Sequence, residues 1–230
     1  MLGAPQEIFW SPHYLRHNQR RQEHLASLGL DLATQIVLEV GAGLGDHTSF
    51  FLDRGSRVIV SEAQEQNLDI LRARYPELDI RRIDLDDPPP EPEVVDIVYC
   101  YGTLYHLERP AEAIAWMARC AKKLLLVETC VAFGETEEIH PFGEQAGQPD
   151  NAVAGHGCRP TRAWVRRELS TSFPHVYCTV TQPWHEEFPL DWSNADLAGR
   201  PLIRAVFVAS RSVLDNPMLV ESIPVRQVRH

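Results

Sequence analysis

The run Glu39-Val-Gly-Ala-Gly-Leu-Gly45 closes a short apolar stretch, residues 36–40, with glycines at alternate positions. A brief apolar run that ends in a turn signal reads as a buried parallel strand. A strand, a glycine turn and a helix start together expose backbone N–H groups, and without Cβ atoms a ligand can come close. Nucleotide-like cofactors are held this way, so the run points to a parallel α/β sheet. A dinucleotide fingerprint spaces its glycines G-x-G-x-x-G so that a pyrophosphate rests on the helix end. Here Gly41, Gly43 and Gly45 lie closer together, Asp46 follows them and Glu39 precedes them. The two acids disfavour a pyrophosphate, and with it a nicotinamide dehydrogenase, and favour a ligand carrying positive charge, such as an amine and a sulfonium.

The flanking sequence alternates as such a sheet requires. Ser11 and Pro12 followed by Tyr14, Leu15, Leu25, Leu28 and Gly29 predict a capped leading helix. Helix is expected over 46–54, 64–75 and 110–121, and strand over 57–61, 79–83, 94–99 and 123–128. The proline-rich 86–93 is a stiff acidic loop, because proline cannot continue a central ladder. Residues 131–159, rich in Gly, Pro, Glu and His, read as a long irregular functional loop. Thr161 caps a helix to about 170, strands follow at 175–181 and 203–210, and the sequence from 213 onward carries no signal. The fold class is thus α/β: one doubly wound, seven-stranded, mostly parallel sheet with an antiparallel C-terminal edge and an N-terminal helix. One domain spans 1–230: a helical cap at 1–33, a cofactor-binding core at 34–130, a substrate-loop insertion at 131–162, the rest of the sheet at 163–212 and a tail at 213–230.

On these residues the sequence resembles the class I S-adenosylmethionine-dependent methyltransferases, whose first motif, acidic-x-Gly-x-Gly-x-Gly, is matched by Glu39 to Gly45. The resemblance runs over roughly residues 34–130 and implies a Rossmann-like fold with S-adenosyl-L-methionine as cofactor. It implies that Gly41, Ala42, Gly43 and Gly45 line the cofactor, that Glu62 beside Ala63 holds both ribose hydroxyls, and that Asp84 and Leu85 meet the adenine. The segment 96–107 resembles the family's fourth-strand motif, with Tyr101 either shielding the adenine or packing. Glu62 and Asp84 have the alternative of ordinary helix-capping acids, and Asp96 reads as structural.

Methyl transfer from a sulfonium is an in-line displacement in which orientation alone contributes about 7–11 kcal/mol. His106, just past the fourth strand on the ligand-binding rim, is the candidate general base, with loop anchoring as its alternative. Asn151, His156, Arg159 and Arg162, with Tyr105, are the candidate acceptor-site residues. They lie in a glycine-rich loop whose Gly-Cys-Arg-Pro segment resembles one in a subset of small-molecule class I enzymes; an arginine fork suits a carboxylate or phosphate. The two arginines would otherwise pair with acids such as Glu135 or Glu144. His13, His17, Arg20, Arg21 and His24 form a lid over the substrate or a solvated face. His140, His156 and Cys158 match no zinc spacing, so no metal is expected.

Five cysteines without a Cys-x-x-Cys pair read as reduced thiols in the core. The formal charge of −10 disfavours a nucleic-acid partner. With no long apolar run and no signal-peptide pattern, a soluble cytoplasmic monomer or homodimer is expected, with no membrane partner. The expected activity is methyl transfer to an oxygen or nitrogen of a small molecule, sugar-derived or a secondary metabolite. A tRNA or protein methyltransferase, or a non-catalytic binding protein of the same ancestry, shares the cofactor motifs.

Overall fold

The computed structural model describes residues 3–230. A short helix α1 (Pro5–Phe9) precedes α2 (Pro12–Ser27). The Ser11 hydroxyl accepts the Tyr14 N–H at 3.3 Å, and Gly29, at φ +64°, follows the last turn, so the predicted capping residues perform those roles. The core continues through β1 (Ile36–Val40), α3 (Thr48–Leu52), β2 (Arg57–Glu62), α4 (Glu65–Arg74), β3 (Asp79–Arg82), β4 (Val95–Tyr101), α5 (Pro110–Cys120) and β5 (Ala121–Cys130). The helix expected at 46–54 is shorter because 42–45 wind into a turn, closed by Gly45 N–H to Ala42 C=O at 2.9 Å. Beyond it follow β6 (Ile139–Gly143), β7 (His156–Pro160), α6 (Arg162–Ser172), β8 (His175–Thr179), β9 (Thr181–Gln182), β10 (Arg204–Ser210), β11 (Leu219–Val220) and β12 (Val228–Arg229).

The main sheet has eight strands in the order β11-β8-β10-β5-β4-β1-β2-β3, one more than the sequence predicted. The seven expected strands are present and the eighth is β11, which pairs antiparallel with β8 through Leu219 and Val220. Residues from 213 onward therefore do carry structure. Their anchor is Gln227, whose amide donates to Thr179 C=O at 2.6 Å and accepts the Trp192 indole N–H at 2.7 Å. Residues 131–159 are not irregular throughout either: β6 and β7 pair antiparallel as a separate hairpin, from Ile139 opposite Pro160 to Gly143 opposite His156.

Strand periodicity divides the core into two layers. In β10, Val206 and Val208 face one side with Phe51, Leu68 and Leu71 of α3 and α4. Ala205, Phe207 and Ala209 face the other with Met117 and Val165 of α5 and α6. All five cysteines are buried free thiols. Burial pushes Cys100, Cys120, Cys130 and Cys158 up to about 12, which suits inert core filling. Among the described residues no helix is long and apolar enough to cross a membrane.

Candidate active site

β1 lies between β2 and β4, and the chain leaves it toward β2 and β3 on one side and β4 and β5 on the other. The carboxyl ends of β1 and β4 form the switch point where open α/β sheets bind ligands. A cleft opens there, with about 950 Å³ of space including its mouth. Glu39, Gly41, Ala42, Gly43, Glu62, Ala63, Asp84, Leu85, Tyr101, His106 and Asn151 line it. Gly45 lies behind this wall, where a Cβ would stand 2.8 Å from both Leu71 and Tyr75.

Gly41 adopts φ +62°, and a Cβ there would sit 2.2 Å from the Thr103 hydroxyl and 2.9 Å from Thr103 Cβ. Thr103 is held in that place by its hydroxyl, which donates to Val40 C=O at 3.2 Å. Gly41→Ala is thus expected to cost about 2–4 kcal/mol of stability through overpacking and left-handed strain, and to abolish ligand uptake in the cleft. A thermal melt in parallel with a binding titration checks both, and near-normal binding would contradict the reading.

The acids are placed by their neighbours. Glu39, 2% exposed, accepts the Thr48 hydroxyl at 2.6 Å. Burial pushes its carboxyl up to about 7 against the lowering effect of Thr48, and Asp46 adds to the rise. Glu62 accepts the backbone N–H groups of Gly43 at 2.8 Å and of Ala63 and Gln64 at 2.9 Å each. Burial still holds it above the ordinary carboxylate range despite those bonds. Three of its roughly four acceptor positions are occupied. Holding two ribose hydroxyls requires one of these contacts, such as that from Gly43, to yield. Asp84 accepts the Asp86 N–H at 3.0 Å, and Asp86 in turn caps the N–H groups of Glu108 at 3.1 Å and Arg109 at 2.8 Å, tying the loop after β3 to the start of α5.

The opposite wall comes from α2 and β4. Tyr14, Asn18 and Arg21 line the cleft beside His47, Tyr99 and Tyr101. The two tyrosine rings stack with centroids 4.3 Å apart, and Tyr101 Oη is buried with no hydrogen-bond partner. His47 Nδ1 bonds the Tyr99 hydroxyl, and burial drives the imidazole well below its usual range, aided by the charge on Arg21. Beneath lies a buried ionic chain: Glu128 accepts Arg21 at 2.8 Å and Arg204 at 3.1 Å, and Arg204 reaches Glu187 at 2.5 Å.

The polar cluster on α2 is accordingly not a solvated face. His17, Arg21 and His24 are buried, whereas His13 is exposed. The available signal was the shortage of apolar residues in the middle of α2: a helix without an apolar stripe that nonetheless packs on a sheet must bury polar groups in pairs.

The insertion distributes the remaining candidates differently from expectation. His106 Nδ1 bonds Glu144 at 2.6 Å, and Glu144 also accepts the Ala152 N–H at 2.7 Å. Burial would raise the Glu144 carboxyl, but His106, Ala152 and Arg159 together bring it below its ordinary value. At Gly157 a Cβ would lie 2.5 Å from Tyr105 C=O, so only glycine lets β7 press on the His106 turn. Of the acceptor-site candidates only Asn151 reaches the cleft. Arg159 stacks 3.8 Å over Phe142 and lies 3.7 Å from Glu144, the alternative pairing foreseen for it. Tyr105 accepts Arg204 at 3.2 Å away from the cleft, and His156 is exposed on β7. Arg162 stacks 3.8 Å over Trp192 and donates to Pro224 C=O at 2.8 Å. Closeness in sequence groups His156, Arg159 and Arg162, but alternation along β7 and the turn into α6 send them to different sides.

A strand-end glycine turn, buried acids and a cleft at the switch point define a nucleotide-type cofactor fold. Residues 38–124 match the methyltransferase domain family. A protein of Mycolicibacterium smegmatis described as a probable S-adenosylmethionine-dependent methyltransferase is 31% identical over 113 residues, 49% of this chain and 41% of the relative. The chain thus matches less than half the length of that curated relative. The N-terminal domain of EvdMO1, crystallised with S-adenosylhomocysteine (SAH) and D-fucose, superposes with a TM-score of 0.65 at 20% identity, covering 87% of this chain and 84% of that one. Magnesium protoporphyrin IX methyltransferase from Synechocystis, with bound S-adenosylmethionine, gives a TM-score of 0.60 at 15% identity over 90% of both chains. Residues 38–124 thus carry the methyltransferase-domain match, and the chain shares the fold of S-adenosylmethionine-dependent methyltransferases.

Proposed function

We propose that this chain transfers the methyl group of S-adenosylmethionine to an oxygen or nitrogen of a small, hydroxyl-bearing molecule. The observation that carries the reading is the two-sided cleft: acids Glu39, Glu62 and Asp84 on one wall, and Tyr14, Asn18, Arg21 and Tyr101 on the other. The donor set fits the cofactor, because a sulfonium and an ammonium gain from buried carboxylates that would repel a pyrophosphate. Bound there, the cofactor supplies an activated methyl carbon. The chain's part is orientation and exclusion of water, with Tyr101 Oη and Arg21 Nε, both buried and unpartnered, as handles for acceptor hydroxyls. That the EvdMO1 domain was crystallised in the presence of D-fucose supports a sugar-like acceptor.

His106 serves as general base in this reading. Glu144 takes the Nδ1 hydrogen and leaves Nε2 available at the cleft wall, the usual way a carboxylate orients a catalytic imidazole. His106→Gln is expected to lower kcat roughly 10²–10⁴-fold with KM little changed and to remove the acid limb of the pH profile. Turnover near normal with an unchanged profile would leave His106 as a loop anchor only. Calorimetry with S-adenosylmethionine and with NAD tests the cofactor half, and release of SAH across a panel of deoxysugars and hydroxylated amines tests the acceptor half. Heat with NAD alone would end the proposal.

A further inference from the structure

Between α2 and residues 183–188, two imidazoles meet with unmatched nitrogens. His17 Nε2 and His185 Nε2 are both buried without a hydrogen-bond partner among the described residues. Their side chains are 4% and 0% exposed and their ring centroids 4.6 Å apart. Glu187 adds a carboxylate whose Oε2 is 3.8 Å from His17 Nε2. One ligand atom from each of the three lies within 4.8 Å of the other two. Orphaned polar atoms at such depth are costly unless something fills the space between them. Two imidazole nitrogens and a carboxylate oxygen are the donor set of a divalent transition metal.

We propose that His17, His185 and Glu187 bind a divalent transition metal ion, zinc by the chemistry of the set, in a site separate from the cofactor cleft. Metal–nitrogen bonds of about 2.0–2.1 Å place tetrahedral ligands roughly 3.4 Å apart, so binding draws the three groups inward. His13, one turn before His17 on α2, has Nε2 3.3 Å from Glu187 Oε1 and forms a neighbouring set with His185 and Glu186. The second shell is already in place, since Arg204 donates from Nε to Glu187 Oε2 at 2.5 Å and from its backbone N–H to Glu187 C=O at 2.7 Å. Glu186 Oε2 lies 3.7 Å from His185 Nε2, and both Glu186 oxygens accept from Arg16, at 2.8 and 2.5 Å. Ligation through His185 Nε2 requires the Nδ1–H tautomer, so the 3.4 Å hydrogen bond that Glu187 N–H donates to Nδ1 must open. The metal would clamp α2, which carries Tyr14, Asn18 and Arg21 of the cleft, to the segment leading into β10.

The test uses the full chain, stripped with a chelator, dialysed and titrated with Co²⁺ and then Zn²⁺. The expected result is uptake of one equivalent of Co²⁺ with visible d–d absorption, lost on adding one equivalent of Zn²⁺. Zn²⁺ at about a hundred times its dissociation constant should raise the Tm by about 5–10 °C. His17→Ala and His185→Ala should lose the absorption, and Glu187→Gln should weaken Co²⁺ binding at least roughly tenfold. His140→Ala, on exposed β6, should retain it. Folding of each variant is checked by circular dichroism. Absence of stoichiometric uptake by the wild-type chain overturns the site whatever the variants do, and so does a folded His185→Ala protein with an unchanged cobalt spectrum.

Discussion

Glu128→Ala should lower the Tm by roughly 10 °C, the largest loss expected from any single truncation near the cleft. Glu128 is 0% exposed, on β5, and lies between the guanidiniums of Arg21 and Arg204 at 2.8 and 3.1 Å. Removing it leaves two buried cations facing each other, with only Arg204 still paired, to Glu187. Breaking a buried pair from one side typically costs about 3–5 kcal/mol, because the remaining charge can be neither solvated nor matched. The loss should carry into function, since Arg21 lines the cleft. Glu128→Gln, which keeps the shape and some hydrogen bonding, should fall between the two. Scanning calorimetry checks the series, and a Tm within about 2 °C of wild type for the alanine variant would mean that the chain of charges contributes little.

The second large effect is a pH dependence of cofactor binding that a single substitution should remove. Burial raises the Glu39 carboxyl from 4.5 to about 7 in the cofactor-free protein. A ligand bearing a sulfonium and an ammonium selects the ionised form, so affinity should rise with pH through 7 and be roughly tenfold weaker at pH 6 than at pH 8. The sign for stability is opposite. A carboxyl whose folded pKa exceeds its unfolded one contributes stability fully below about 4.5 and loses it as pH rises through about 7. By pH 8 the empty cleft therefore carries a burden on the order of 3 kcal/mol from this group, which the cofactor relieves. The Tm gain on adding S-adenosylmethionine should accordingly be larger at pH 8 than at pH 6. Glu39→Gln should flatten the binding profile and weaken affinity at pH 8 by roughly 10–100-fold, the worth of a charge-assisted contact. A wild-type profile that is flat between pH 6 and 8 would remove Glu39 from contact with the cofactor's positive charge.

Much of the cofactor half was legible in the sequence because it rests on local devices. The capping of α2 by Ser11 and of α6 by Thr161, the glycine turn behind β1 and the acids at the ends of β1 and β2 each depend on a few consecutive residues. The number of strands was less legible. β11 is two residues long and exists because Leu219 and Val220 find β8, a pairing that no local periodicity announces. The hairpin of β6 and β7 was hidden for a related reason: its strand residues include His140, Pro141, Gly143 and Gly157, which carry weak strand signals but are paired across the turn.

The loop from Glu39 to Gly45 determined by itself the sheet type, the ligand end of that sheet and the sign of charge the cleft accepts. Strand direction and backbone freedom follow from short runs of sequence, and two acids flanking three glycines leave little choice of ligand charge. Only the tertiary structure decided which residues face the ligand from the other side. It buried the polar face of α2, brought Tyr14, Asn18 and Arg21 to the cleft and turned Arg159 and Arg162 away from it. It also placed His17 beside His185, 168 positions along the chain. Those outcomes depend on long-range packing and on the matching of buried charges, which spacing along a chain does not encode.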